Sequence, residues 1–193
     1  MLDSETRAQV ALNAGVQLVE EGKYTEAIAA FERSLAVKPG NAKVYSNLSN
    51  AYLKISDVQN ALRSCQKAIE LDPRNVFAHN NCGVANDRLK NFEASIDHYT
   101  EALKLTKTEP TIYTNRGIVF MILKMHANAV QDFTRAIELE PNGIRYWHRG
   151  ESHLATGSFE NAVADYTKAL ELGQTGWSIY NDRGVAYMRL KKF

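Results

Sequence analysis

The sequence has few of the features that mark a membrane, secreted or nucleic-acid-binding protein. Its longest unbroken apolar run, residues 118–123, is far too short to cross a bilayer. Residues 1–7 are polar and lack the apolar core of a signal peptide. With 23 basic and 22 acidic side chains, the net charge is only +1, whereas nucleic acids and anionic membranes select for a basic excess. These absences predict a cytoplasmic protein without nucleic-acid binding or membrane insertion; a secreted protein already trimmed of its signal is the alternative.

Cysteine is also scarce. Cys65 and Cys82 are the two cysteines, and they show neither Cys-x-x-Cys spacing nor a neighbouring histidine cluster. Zinc sites and disulfide frameworks are therefore disfavoured, and we expect two free buried thiols in a reducing compartment.

Catalytic signatures are sparse as well. His148, Glu151 and His153 form the one tight group of catalytic residue types, and only the first two share a helical face, at i and i+3. The sequence has no nucleophile beside a base, no Gly-rich phosphate loop and no His-Glu-x-x-His motif. We therefore expect no enzymatic activity, no metal and no cofactor.

What the chain does contain is an internal repeat. Gly83 and Gly117 are 34 residues apart, as are Pro39 and Pro73, and Pro141 follows two periods after Pro73. Residues 24–35, 92–103 and 159–170 are versions of one amphipathic helix. A fixed period of this length is typical of a stack of helical hairpins.

Aligned at this period, the chain resembles the tetratricopeptide-repeat (TPR) family. The family's small residue at repeat position 8 is matched by Gly15, Ser49, Gly83, Gly117, Gly150 and Gly184. Its small residue at position 20 is matched by Ala27, Ala61, Ser95, Ala129 and Ala162. Its aromatic at position 24 is matched by Phe31, Tyr99, Phe133 and Tyr166, with Cys65 as the exception. Small residues let two helices approach closely, and the aromatic ring fills the space beside them.

The resemblance implies an all-α fold, a right-handed superhelical solenoid of antiparallel helix pairs. We expect an N-terminal lead-in at residues 1–7, then repeats at 8–41, 42–75, 76–109, 110–142 and 143–176, and a final A helix at 177–193. In each repeat, helix A should cover positions 2–14 and helix B positions 17–30. The final helix should leave apolar residues such as Tyr187 uncovered, which predicts either a longer protein or pairing of this edge with another chain.

In the TPR family, positions 2, 5, 6, 9, 12 and 13 of the A helices line a concave groove. Position 6 holds Asn13, Asn47, Asn81 and Asn115 at steps of 34 residues, and His148 continues the row. This row is similar to the asparagine ladder of the TPR domain of O-GlcNAc transferase, which holds the main chain of extended peptides. An amide offers both a donor and an acceptor, so it pairs with a peptide bond of any sequence. The alternative is that these amides bond to an adjacent repeat or to water.

Three further groove residues complete the predicted peptide site: Asn50, Phe77 and Trp147. Aromatic side chains supply much of the energy of protein interfaces, although each aromatic here has the alternative of packing against a neighbouring helix. At position 7, Arg116 and Arg149 accompany Asp132 and Asp165 at position 23, which predicts an ion pair inside each of these two repeats.

The sequence therefore predicts a protein-interaction module that binds an extended segment of a partner in its groove. Two alternatives remain open. One is a self-assembling scaffold, a homo-oligomer that stacks through its C-terminal edge, and the other is the substrate-recruiting part of a larger enzyme.

Overall fold

The computed structural model describes residues 3–191, and every regular element in that range is an α-helix. The eleven helices of this range are α1 Ser4–Glu20, α2 Tyr24–Val37, α3 Ala42–Lys54, α4 Val58–Leu71, α5 Val76–Arg88, α6 Phe92–Leu105, α7 Pro110–Ile122, α8 His126–Leu139, α9 Gly143–Ala155, α10 Phe159–Glu171 and α11 Trp177–Leu190. The chain divides into two compact units, residues 1–106 with α1–α6 and residues 107–193 with α7–α11. Within each unit, consecutive helices pack as antiparallel neighbours.

Side chains cap the N-termini of five of the described helices, α1, α3, α4, α5 and α9. Asn41 and Asn75 precede α3 and α5, and their side-chain oxygens accept hydrogen bonds from the first free backbone N–H groups, at 3.1 Å from Lys43 and 3.0 Å from Ala78. Asp3 caps α1 in the same way through the Thr6 N–H, at 2.7 Å. Because of this cap, α1 begins at Ser4, inside the segment expected to be a lead-in before the first helix.

The turn inside each hairpin has one residue in the left-handed region. Gly22 and Gly157 fill this place in the first and fifth repeats, at φ 75° and 77°. The same place holds Ser56, Lys90 and Lys124 in the other three repeats, at φ 59–63°. This conformation costs a residue with a Cβ about 1 kcal/mol, so the tight turn is formed against a local preference in those three repeats.

Glycine and aromatic residues meet inside four of the five hairpins, as the repeat pattern predicts, and the second hairpin has Ser49 and Cys65 at these positions. In unit 1, the buried ring of Phe31 lies against the Gly15 backbone and packs with Leu12, Val44 and Leu48. In unit 2, Tyr166 lies against Gly150 in the same way. In these four hairpins, the ring is carried by helix B and the glycine by helix A.

The expectation of two free thiols is wrong. Cys65 on α4 and Cys82 on α5 form a disulfide, with their Cα atoms 5.5 Å apart and both side chains fully buried. The residues are 17 apart in sequence, but the antiparallel packing of α4 on α5 places them face to face. The two cysteines therefore give no support to the expectation of a reducing compartment.

Candidate functional site

An open cavity of about 310 Å³ lies at the α1–α2 turn, but four of the eight predicted site residues meet at a different one, on the α3 and α5 side of unit 1. This second cavity has a volume of about 210 Å³ and is lined by Ser46, Asn47, Asn50, Phe77, Asn80 and Asn81. Four of these residues were predicted from the sequence. Ser46 and Asn80, both at position 5, were missed, although the family's groove positions include them. We call this set the amide pocket.

Helix periodicity explains why these side chains share one surface. Ser46, Asn47 and Asn50 lie at i, i+1 and i+4 on α3, and Phe77, Asn80 and Asn81 lie at i, i+3 and i+4 on α5. The opposite faces are apolar and fully buried, through Val44 and Ala51 on α3 and Ala78 and Ala85 on α5. Burial of that apolar face fixes the rotation of both helices and so places the amides on the other face.

Asn47 and Asn50 also border a second, smaller cavity of about 50 Å³. Its other walls are Val16 and Val19 on α1 and the ring of Phe31. These two amides therefore have a polar space on one side and an apolar one on the other.

The amides of the pocket differ in what they already bind. Nδ2 of Asn81 donates to the Ser46 carbonyl oxygen at 3.1 Å and to Ser49 Oγ at 2.8 Å, and its side chain is buried. The structure thus fits the alternative interpretation for Asn81, a bond to the adjacent repeat. Asn47 and Asn50 are half-buried, and their side chains make no hydrogen bond with any residue from 3 to 191. Their amides are available to a ligand.

Phe77 is the apolar member of the pocket. Its side chain is 69% exposed, whereas Val44 and Leu48 on the neighbouring helix are buried. No charged residue lines the cavity among the residues that the structure describes. The pocket therefore offers neutral hydrogen-bonding groups beside one large apolar surface.

Asn13, the first member of the predicted row, lies outside both of these cavities. It is exposed on α1, and its side-chain oxygen accepts a hydrogen bond from Gln9 Nε2 at 2.7 Å. The amide row of unit 1 is thus concentrated on α3 and α5.

Unit 2 holds the remaining predicted residues. Asn115 is half-buried on α7. The Trp147 and His148 rings stack at 4.9 Å between centroids, and His148 also stacks on Phe133 at 5.6 Å. His148 Nδ1 lies 2.8 Å from Glu151 Oε2. Both predicted groove residues of α9 are therefore held by contacts within the unit, which favours the packing alternative for Trp147.

The group of catalytic residue types does not converge. His153 Nε2 lies 3.8 Å from Asp165 Oδ2, on a different partner from the His148–Glu151 pair. Burial lowers the pKa of His153, while nearby Asp165 opposes that shift. Between residues 3 and 191, no group of three or more His, Cys, Asp and Glu residues is placed to hold a metal ion.

The predicted ion pairs of unit 2 are present. Arg116 contacts Asp132, and Arg149 contacts Asp165, each through two hydrogen bonds of 2.7–2.8 Å. Each pair joins helix A to helix B of one repeat. In the first of them, burial raises the pKa of Asp132 and Arg116 opposes the rise.

In the described part of the chain, no helix has both the length and the apolar character needed to cross a membrane.

Comparison with known proteins identifies the repeat. Tetratricopeptide-repeat family models match residues 42–75 and 110–142, and further TPR models match residues 15–56 and 145–172. No curated protein matches the sequence.

Solved structures of TPR proteins resemble this fold. A MamA protein is 25% identical, with a TM-score of 0.75 over 86% of this chain and 91% of that chain. A thermophilic TPR protein of Thermus thermophilus is 24% identical, with a TM-score of 0.68 over 94% and 99%. PilF of Pseudomonas aeruginosa is 18% identical, with a TM-score of 0.79 over 96% and 90%. The chain thus carries tetratricopeptide repeats, and the all-α TPR fold predicted from its sequence is confirmed.

Proposed function

We propose that this protein is an interaction module that binds an extended segment of a partner protein on the amide pocket of α3 and α5. One observation carries the proposal. Asn47 and Asn50 present amides without hydrogen-bond partners in the described chain, around a cavity whose rim is the exposed ring of Phe77.

The chemistry of these groups matches a peptide main chain. Each amide donates through Nδ2 and accepts through Oδ1, which complements the C=O and N–H groups that an extended peptide exposes. The described lining of the pocket carries no charge, so it selects for neutral main-chain groups over a carboxylate or a phosphate. Phe77 adds an apolar contact for one side chain of the segment.

The expected affinity is modest. A net hydrogen bond stabilises a complex by about 1 kcal/mol, so the two free amides together contribute roughly 2–4 kcal/mol. Micromolar binding requires about 8 kcal/mol, so apolar contacts such as that of Phe77 must supply the rest. Asn81 contributes mainly by orienting the pocket, because its donor is already bound to α3.

A peptide-library screen tests the proposal. Peptides captured by the wild-type chain should be lost by the variant Asn47→Ala/Asn50→Ala and weakened by Phe77→Ala. Asn81 is unsuitable for this test, because its removal would take away a buried side chain that donates to both Ser46 and Ser49 on α3 and would disturb the packing of α5 on α3.

The matched control is Gln59→Ala/Gln66→Ala, which removes two exposed carboxamides of the same unit on α4. Capture of the same peptides by this control and by Asn47→Ala/Asn50→Ala alike would exclude the amide pocket as the binding site.

A further inference from the structure

The smaller cavity beside the amide pocket lies between α1 and α3, and we call it the α1–α3 cavity. Val16 and Val19 on α1 form one wall, and the ring of Phe31 on α2 completes the apolar lining. Asn47 and Asn50 form the wall on α3, so the same two amides border this cavity and the amide pocket. A segment held by these amides therefore passes beside the α1–α3 cavity.

The apolar lining of this cavity is preorganised. Phe31 is fully buried, and its ring lies against the Gly15 backbone. Val16 and Val19 pack against the buried cluster that contains Phe31, and β-branched side chains have few χ1 rotamers available. Both valines are only half-buried, so they keep apolar surface that a ligand can cover.

The size of the cavity limits what can occupy it. Its volume is about 50 Å³. An apolar cavity of about 150 Å³ accepts a benzene ring, so an aromatic side chain is too large here and one of the size of alanine or valine fits. A charged side chain would lose its hydration against the two valines without gaining an opposite charge from the described lining residues.

The apolar lining does not recur with the repeat. One repeat later, the positions of its three apolar residues hold Asn50, Leu53 and Cys65. The leucine is buried, and the cysteine is bonded to Cys82 on α5. The amide pocket between α3 and α5 therefore has no equivalent apolar wall, and selection for a small side chain belongs to the α1–α3 cavity alone in the described part of unit 1.

We propose that the α1–α3 cavity binds one small aliphatic side chain, alanine or valine, of the segment that the amide pocket holds. The inference rests on the function proposed for that pocket and adds a sequence preference to it, with Val16 and Val19 as the specificity-determining residues. Packed helices lie roughly 8–10 Å apart and an extended chain advances about 3.3 Å per residue, so the small residue should lie roughly two to four residues from the one that contacts Phe77.

A library of randomised short peptides tests the proposal. Peptides captured by the wild-type chain should share one position that is restricted to alanine or valine. Val16→Leu/Val19→Leu narrows the cavity and should weaken these peptides about tenfold in fluorescence anisotropy. Val16→Ala/Val19→Ala widens it and should shift the preference at that position to leucine and isoleucine.

The matched control is Val37→Ala/Val58→Ala, which shortens two half-buried valines of unit 1 on α2 and α4 that line neither cavity. This control should select the same peptides as the wild-type chain, and circular dichroism checks that every variant is folded. A change in the peptide gives a readout that needs no variant of the chain. Phenylalanine in place of the restricted residue should weaken binding to the wild type by about tenfold or more, because the ring exceeds the cavity.

Either of two results would overturn this proposal and leave the amide pocket as the binding site. One is a set of captured peptides that Asn47→Ala/Asn50→Ala loses but that share no small aliphatic position. The other is the same residue preference in the wild-type chain and in Val16→Ala/Val19→Ala. Capture of no peptide by the wild-type chain would instead overturn both proposals.

Discussion

Arg116 and Asp132 face each other across the fourth helical hairpin, with Nε and a terminal guanidinium nitrogen each 2.8 Å from a different carboxylate oxygen. The aspartate side chain is almost completely buried, and the arginine side chain is partly buried. Arg149 and Asp165 repeat this geometry in the next repeat. Unit 2 therefore contains two bidentate ion pairs at equivalent positions. Their contribution to the free energy of unfolding can be measured in this unit.

Removing one partner of this pair should be costly. Arg116→Met leaves the Asp132 carboxylate buried without its cation, so we expect a loss of about 3 kcal/mol in the free energy of unfolding. Arg116→Met/Asp132→Leu should recover most of the loss, because it leaves no unpaired charge. Both tryptophans lie in unit 2, so urea unfolding followed by tryptophan fluorescence reports on this unit. Additive losses in the double variant would show that the two residues are not coupled.

Substitution by alanine should have different effects on stability at two equivalent glycines, Gly83 and Gly184. Gly83→Ala places a methyl group 2.5 Å from the Tyr99 ring, which is buried and cannot move away, so we expect a loss of roughly 1–3 kcal/mol. Gly184→Ala meets no atom and sits inside a helix, so it should be neutral or stabilise by up to about 1 kcal/mol. Thermal unfolding by circular dichroism compares them, and equal effects at both positions would contradict the described packing.

The disulfide predicts a redox dependence of unit 1. Thiol titration of the native chain should find no free cysteine, and Cys65→Ala/Cys82→Ala should lower the free energy of unfolding by about 2–4 kcal/mol. Most of this loss arises because the unfolded chain gains conformational entropy when the cross-link is absent. Alkylation of both residues in the unreduced native protein would show that the bond is absent. Unit 2 fluorescence, with no cysteine nearby, serves as the control.

His98 should make unit 1 less stable in acid. Burial lowers the pKa of His98, and the neighbouring His79 lowers it further, against the opposing charges of Asp97 and Glu101. The unfolded chain therefore binds this proton at a higher pH than the folded chain does. Stability should be complete above about pH 6.5 and fall as the pH drops through the folded pKa. His98→Gln should flatten that slope, and an unchanged slope would assign it to another titrating group of unit 1.

The fold could be predicted from the sequence because the same packing contact recurs in several repeats. Gly83 opposite Tyr99, and Gly150 opposite Tyr166, follow from small and large residues at fixed positions. The ion pairs of unit 2 were readable for the same reason, since Arg and Asp recur at positions 7 and 23.

The disulfide and the partners of the amides could not be predicted from the sequence, because each depends on a contact that does not recur between repeats. The Cys65–Cys82 bond joins positions that hold other residue types elsewhere in the chain, so no periodicity reveals it. The repeat pattern predicts an amide at position 6 but not the hydrogen bonds that the amide makes. Asn81 on α5 donates to Ser46 and Ser49 on the preceding A helix, α3, whereas Asn47 on α3 makes no such bond to α1. The difference comes from Ser46 and Ser49 on α3, which present oxygens toward α5.

A bound segment should contact the amides of α3 directly. NMR titration of ¹⁵N-labelled protein with a selected peptide observes the side-chain NH₂ groups of Asn47 and Asn50 themselves. We predict that both signals shift with the same dissociation constant as the backbone, while those of Gln59 and Gln66 on α4 stay fixed. Saturable binding that leaves the Asn47 and Asn50 signals unmoved would contradict the account.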